Sequence, residues 1–319
     1  MSSRVPYAVR MGEPMKNARV RGVVAGLLMT CTFVFGTHGV LWAQTADSGP
    51  PAARLTQPSM NVFRRFTVDR AKMTEFYGEV LALKPLPTLN MPGGGQMSRF
   101  QVGTSEIKLT TATPGGREKS GAVRDVIGLR VLTFFFPDEA ALAARFKTHG
   151  YAAPEFRSAV DGTRAAMVTD PDGQWVELIA VPGAPEEVFS RLEVGLTVSD
   201  IEKSRTFYGR FVGLEELKPV ESRALGTRQY RFRHGTMTVN LWTFGKDLPA
   251  NTTSAGIQYV IRDVEAVDAR AKAWGVRVTQ PLGSFSATLR TIWLADPDGI
   301  VNYFAEIVRN QTAAISPSR

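Results

Sequence analysis

The sequence predicts an α+β fold made of four consecutive β-α-β-β-β modules, and three observations carry that prediction. An Asp-Pro-Asp-Gly turn followed by an apolar strand occurs twice, as TDPDGQWVELI from Thr169 and as ADPDGIVNYFAEI from Ala295, with the turns 126 residues apart. A strand end, polar turn and helix bearing Phe-Tyr also occurs twice, as VDRAKMTEFYGEVLAL from Val68 and VSDIEKSRTFYGRFVGL from Val198. Phe76-Tyr77 and Phe207-Tyr208 lie 131 residues apart. Between these signals, AALAARFKTHG and VEAVDARAKAWG place apolar residues at three- and four-residue steps and stop at Gly, the pattern of a short helix with a glycine end.

The modules fall at about 60–113, 127–182, 191–244 and 255–308. Each reads as a strand, an acidic or polar turn, a helix, and then three alternating strands. In the Asp-Pro-Asp-Gly turns, Pro fixes one dihedral and Gly supplies a positive φ. The run Phe134-Phe135-Phe136 reads as a strand buried on both faces. Gly and Pro punctuate the junctions at 115–121 and at Pro182 to Pro185, and a polar segment from Asp247 to Ser254 joins the last two modules. The expected organisation is a signal peptide over 1–43, a linker over 44–59, one domain of two modules over 60–182, a second over 191–308, and a flexible tail over 309–319.

Composition narrows the function. The chain has 319 residues, of which 44% are hydrophobic and 21% charged, so most of it is globular. One cysteine excludes an intramolecular disulfide and any cysteine-based zinc or iron–sulfur centre. Three histidines leave little room for a His-rich metal site. The formal charge of +8 falls to +4 without residues 1–43, and no basic run with interleaved aromatics is present, which argues against nucleic-acid binding.

The front end reads as an address. Lys16, Arg19 and Arg21 precede the apolar stretch GVVAGLLMTCTFVFG from Gly22, and no charged residue occurs between Arg21 and Asp47. A positive segment, an apolar segment and a small residue at Ala43 describe a secretory signal peptide cleaved near Ala43. The alternative is an uncleaved anchor. With cleavage, Cys31 and His38 leave with the signal, and the product is periplasmic or secreted with no membrane association.

The segment VSDIEKSRTFYGRFVGLEE, its copy in the first module and the two DPDG turns with their strands resemble the vicinal oxygen chelate superfamily, which includes glyoxalase I, bleomycin-resistance proteins, fosfomycin-resistance enzymes and extradiol dioxygenases. The resemblance covers about residues 60–308. It implies that two β-α-β-β-β modules pair into a cup-shaped mixed sheet, giving two such domains, with the site on the concave face. In metalloenzyme members, His, Gln or Glu from the first and last strands of the paired modules hold a divalent ion there.

Carried onto this chain, those positions are Glu193, Asn240, Gly256 and Tyr303 in the third and fourth modules, and Val62 or Phe63, Lys108, Val131 and Glu177 in the first and second. None is His, and the Lys108 ammonium repels a divalent cation, so no cofactor is expected and a divalent metal is disfavoured. Glu177 reads as an ion-pair partner of Lys108 in preference to a metal ligand. A crossed pairing of modules would instead group Glu177 with Glu193. Both carboxylates are candidate acid–base catalysts, and for Glu193 a paired strand residue weighs equally.

Asn240, Trp242, Tyr259, Arg290, Trp293, Tyr303 and Lys108 are candidate ligand-binding residues, because an aromatic-lined concavity with a few polar groups suits a small planar or anionic molecule. His234, in a hairpin turn, and His149, at a helix C-terminus, read as structural. The leading functional expectation is an exported small-molecule binder. The alternatives are a lyase or dioxygenase with an atypical metal site or metal-free acid–base chemistry, and a non-catalytic scaffold whose cups are filled by their own side chains.

Overall fold

The computed structural model describes residues 49–91, 94–111 and 121–308. They belong to the unit Thr45–Arg319. The expected signal peptide with Cys31 and His38, the first residues of the linker, and the tail from 309 lie outside the described residues.

All four modules form. The first comprises β1 (Asn61–Phe66), α1 (Arg70–Glu75), β2 (Lys84–Asn90), β3 (Gln96–Val102) and β4 (Ser105–Thr111). The second comprises β5 (Gly128–Phe136), α2 (Glu139–Thr148), β6 (Arg157–Ser158), β7 (Arg164–Thr169) and β8 (Trp175–Ala180). A single turn of helix, α3 (Glu186–Phe189), leads into the third: β9 (Leu192–Thr197), α4 (Ile201–Arg205), β10 (Glu215–Glu221), β11 (Arg228–His234) and β12 (Met237–Trp242). The fourth comprises β13 (Ala255–Ile261), α5 (Val264–Trp274), β14 (Val278–Ser286), β15 (Leu289–Ala295) and β16 (Val301–Ile307).

The module helices α1, α2, α4 and α5 start alike because each has an aspartate ahead of it. Asp69, Asp138, Asp200 and Asp263 accept the backbone N–H of Ala71, Ala141, Lys203 and Ala266, satisfying donors that the first helical turn leaves free. The Phe-Tyr segments continue α1 and α4 as wider π-helical turns, Phe76–Val80 and Thr206–Val212. The second ends at Gly213 with φ 85°, and Ala82 adopts φ 57° at the corresponding place in the first.

Strand pairing crosses the internal duplication. One eight-stranded sheet has the order β14-β15-β16-β13-β1-β4-β3-β2, and the other has the order β10-β11-β12-β9-β5-β8-β7-β6. The first sheet therefore joins modules one and four, and the second joins modules two and three. Within each sheet the two module-opening strands meet antiparallel, Asn61 opposite Gln258 and Thr133 opposite Glu193. Each also pairs in parallel with the last strand of its own module, which makes the sheets mixed.

The helical segments pair the other way, within each sequence copy. Phe76 packs against Phe146 and Tyr151, and the Arg145 guanidinium donates to the carbonyl of Val80 at 2.9 Å. In the second copy, Arg270 of α5 donates to the carbonyl of Phe211 at 3.0 Å, and Trp274 meets the Phe211 ring. One hydrophobic core runs through all four modules, from Val62 and Phe76 through Leu132 and Phe146 to Val194, Phe211, Ile257 and Phe304.

The crossed pairing corrects the expected Lys108–Glu177 ion pair. The two residues sit in different sheets, and each finds partners in its own: Gln258 for Lys108 and Thr133 for Glu177. The Asp-Pro-Asp-Gly turns also do more than reverse the chain. Asp170 and Asp296 are buried, and each accepts two backbone N–H groups of its own turn and the hydroxyl of a Phe-Tyr tyrosine, Tyr77 or Tyr208. His149 Nδ1 contacts Glu75 at 2.9 Å, in addition to its helix-end position. His234 lies where β11 turns into β12, as expected of a hairpin residue.

Candidate functional site

Alternation decides what each sheet offers on the face away from the core. In β9, Leu192, Val194 and Leu196 enter the core, which turns Glu193, Gly195 and Thr197 to the opposite face. In β8, Val176 and Leu178 enter the core and Glu177 does not. In β5, Leu132, Phe134 and Phe136 enter it, leaving Thr133 between the two carboxylates in register with both. Glu177 and Glu193 therefore share one face of the second sheet.

Neither carboxylate is exposed; Glu177 retains 7% of its accessible surface and Glu193 retains 3%. Thr133 Oγ1 donates to Glu177 Oε2 at 2.8 Å, and Asn240 Nδ2 donates to Glu193 Oε2 at 2.8 Å. Arg223 reaches in from the loop after β10. Its Nε donates to Asp161 at 2.7 Å, its Nη1 lies 3.4 Å from Glu193, and its guanidinium stands 5.4 Å from the Phe135 ring centroid. Arg231 Nη2 lies 4.0 Å from Glu193 on the other side.

Burial pushes the Glu177 carboxyl up to about 7, the negative charge of Glu193 adds to the rise, and Arg223 and Thr133 only partly oppose it. Burial alone would lower the Arg223 guanidinium. Glu193, Glu177 and Asp161 outweigh it and hold the group above the usual arginine value. Two buried atoms here have no hydrogen-bond partner among the described residues: the acceptor Asn240 Oδ1 and the donor Arg231 Nε. Such groups cost free energy in the free protein, on the order of 1–3 kcal/mol each.

The first sheet offers different chemistry. Phe63, Trp293 and Tyr303 pack on one another, with centroids 5.8 Å, 5.4 Å and 5.0 Å apart, and the Arg65 guanidinium stands 5.8 Å from the Trp293 ring. Burial pushes the Tyr303 hydroxyl up, with Glu106 adding to the rise. Beside this cluster Lys108 Nζ donates to Gln258 Oε1 at 2.6 Å and lies 3.5 Å from Glu106. Asn61 donates to the same Gln258 oxygen at 3.1 Å. Burial lowers the Lys108 ammonium, against the pull of Glu106.

The candidate ligand-binding residues thus divide. Asn240 and Trp242 stand on the second sheet with the carboxylates, and Lys108, Trp293 and Tyr303 stand on the first. Two others face the wrong way. Tyr259 points into the core, stacked on Phe304 with centroids 4.6 Å apart and its hydroxyl on Asn302. Arg290 is paired with Glu265 of α5 and lies 3.8 Å from Glu306. Both corrections have the same cause: adjacent strand positions alternate faces, and Tyr259 is one residue removed from the outward Gln258. Trp242 donates through Nε1 to Thr197 at 2.8 Å and lies over Gly195.

Reading the sequence missed Thr133, Arg223, Asn61 and Gln258. Thr133 stands two residues beyond the aligned Val131, as a polar interruption of the apolar run GLRVLTFFF, and that interruption was a readable signal. Arg223 lies in an irregular loop, where no periodicity points to it. A groove of about 620 Å³ lies elsewhere, between the helical segments, lined by Phe207, Phe211, Trp274, Arg277 and Asp296.

The residues at the four metal positions do not match the ion that the resemblance implies. On the second sheet Glu177, Glu193 and Asn240 carry oxygen donors already engaged by Thr133, by Arg223 and by one another, and the fourth position, Val131, carries none. On the first sheet an ammonium holds the amide and carboxylate oxygens. Neither set fits a His-and-carboxylate transition-metal centre. Among the described residues no group of three or more His, Cys, Asp or Glu side chains is arranged to hold a metal.

Comparison with known proteins places the fold. The chain is similar in structure to glyoxalase I from Zea mays, with 20% identity, coverage of 79% of this chain and 92% of that one, and a TM-score of 0.61. It is also similar to a Bacillus subtilis protein described as a "putative dioxygenase", with 16% identity, coverage of 81% and 87%, and a TM-score of 0.55. No curated protein matches the chain. The family model Glyoxalase/Bleomycin resistance protein/Dioxygenase superfamily matches twice, over residues 59–178 and 191–304, the two sequence copies whose strands interleave in the sheets. The chain belongs to the Glyoxalase/Bleomycin resistance protein/Dioxygenase superfamily.

Proposed function

We propose that the protein is an exported binder of a small polar molecule, held on the face of the second sheet beside Glu177 and Glu193 without the transition metal of the family's metalloenzymes. The observation that carries this is the pair of buried, unpartnered atoms at Glu193, an acceptor on Asn240 and a donor on Arg231. A ligand with one donor and one acceptor satisfies both, and a few converging polar groups in a largely apolar surround are what orients a small molecule. Trp242, Val131 and Met167 supply apolar surface on the same face. Export rests on the apolar stretch behind Lys16, Arg19 and Arg21 and on the small residue Ala43.

A screen of small polar acids, amides and carbonyl compounds by thermal shift and calorimetry tests the reading. Binding that Glu193→Gln weakens without loss of folding supports it. Elemental analysis of protein purified without chelator is the companion measurement, and a stoichiometric transition metal would overturn the metal-free part. A metal-free acid–base enzyme is the second reading, favoured by one observation: a carboxyl pushed to about 7 exchanges its proton at neutral pH, as a general acid or base requires. The scaffold reading draws on the first sheet, where Phe63, Trp293 and Tyr303 fill space with their own rings.

A further inference from the structure

We infer that Arg223 is a tethered cation that takes the place of a divalent ion in the second sheet. The inference rests on the metal-free reading above and deepens it by naming the group that supplies the positive charge. Three carboxylates surround this one guanidinium. Asp161 and Glu193 contact it directly, and Glu177 acts on it through space. They arrive from three separate parts of the fold: Asp161 from the loop between β6 and β7, Glu177 from β8 and Glu193 from β9. Glu177 and Glu193 are buried while Asp161 is exposed, and a cation at their meeting point is what makes the burial of the two glutamates tolerable.

Arg223 is also built in. Its side chain is 15% exposed, its plane lies against Phe135, and the loop carrying it is braced. Ser222 donates its N–H to the carbonyl of Thr227 at 2.7 Å, Gly226 donates to that of Ser222 at 3.2 Å, and Arg124 donates to that of Leu225 at 2.5 Å. The surrounding donors suit a hard cation once the guanidinium is gone: two Glu carboxylates, the Thr133 hydroxyl and the unpartnered Asn240 Oδ1, all oxygen. The first sheet repeats the solution with another residue, the Lys108 ammonium between Gln258 and Glu106.

The test is metal uptake by the full mature chain, read by the electron paramagnetic resonance signal of free Mn²⁺ and by calorimetry with Ca²⁺. The wild type and Arg223→Lys, which keep a cation, are expected to take up neither ion at the site. Arg223→Ala and Arg223→Met are expected to take up one Mn²⁺ per chain with a dissociation constant roughly tenfold or more below the highest Mn²⁺ concentration at which the wild type shows no uptake, displaced by Ca²⁺ and accompanied by a rise in melting temperature. If either variant folds only when Mn²⁺ is present, the inference is supported in the same sense. Folded variants that take up no metal, or variants that fold with neither ion, overturn it and leave the metal-free reading intact. A wild type that binds stoichiometric metal overturns that reading itself.

Discussion

Arg64 in the first strand donates to Asp170 in a turn 106 residues later, and both side chains are withdrawn from solvent, at 1% and 0% exposure. The same guanidinium reaches Asp172 at 2.8 Å, so it clamps the second module's Asp-Pro-Asp-Gly turn to the first module's opening strand. The second copy keeps the turn without the clamp. Thr67 and Ser199 hold the second aspartate of each turn alike, and three residues before them Leu196 stands where Arg64 does; no ion pair to Asp296 is present among the described residues, and its carboxylate has the Tyr208 hydroxyl and two backbone N–H groups instead.

Arg64→Met takes the guanidinium away from the buried Asp170 carboxylate and is expected to cost about 3–5 kcal/mol. Adding Asp170→Asn should recover part of that loss, because the double change removes the stranded charge. Urea denaturation of the single and double variants measures both, and a single variant within about 1 kcal/mol of the wild type would show that the clamp is not needed.

Asp296 should make the protein less stable as pH rises from about 4 to about 7. Burial pushes its carboxyl up to about 7, so in that window the folded chain holds a proton that the unfolded chain has released. The folded state then binds more protons, and stability falls with increasing pH by about 1.4 kcal/mol per pH unit at most. Asp296→Asn is expected to flatten that slope and to exceed the wild type in stability at pH 8. Glu177 contributes in the same direction, so the slope shrinks without vanishing. Chemical denaturation at a series of pH values gives the slopes directly.

Glu193→Gln should lower the titration midpoint of Glu177. The negative charge of Glu193 is the second cause, after burial, that raises Glu177 to about 7, and the amide removes it while keeping the shape. Carbon-13 titration of the Glu177 carboxyl reads the change. A midpoint unmoved by the substitution would mean that the two carboxylates do not sense each other.

Gly195→Ala should disturb the aromatic wall of the second sheet. A β-carbon there would stand 2.0 Å from Trp242 Cη2, so the ring must turn out of its place and away from Thr197. Overpacking of this kind costs about 1–3 kcal/mol. The accompanying change in tryptophan fluorescence distinguishes a displaced ring from a general loss of folding.

Expression of the full-length chain is expected to give a soluble exported product beginning near Gln44, read by mass spectrometry of the periplasmic or secreted fraction. The intact chain in the membrane fraction would support the anchor instead.

The modules were legible because their signals are local. A Pro-Asp-Gly turn, a Phe-Tyr helix and a glycine helix end declare themselves within a dozen residues, and all four modules formed where they were expected. The pairing of modules was not legible. Phe63 and Glu193 open their modules in the same way, and nothing within either strand says which strand lies opposite it. That one ambiguity decided the fate of the site residues: Glu177 exchanged Lys108 for Glu193 as its charged neighbour, and the aromatics Trp242, Trp293 and Tyr303 parted between sheets. Tyr259 failed for a different reason, a one-residue error in strand phase that reverses the face. Arg223 escaped because its position depends on loop geometry, which alternation does not encode.

The crossed sheets close very different lengths of chain. The second sheet joins neighbouring modules and closes a short loop of chain, whereas the first must bring Asn61 to Gln258, 197 residues on, and therefore pays the larger entropy of closure. The arrangement is nested: the inner sheet joins modules two and three, and the outer one needs the last module of the chain. A chain interrupted after its second module keeps β1 and β5 without their antiparallel partners. Such a half-length fragment presents two open sheet edges, and its route to closure is another copy of itself or aggregation.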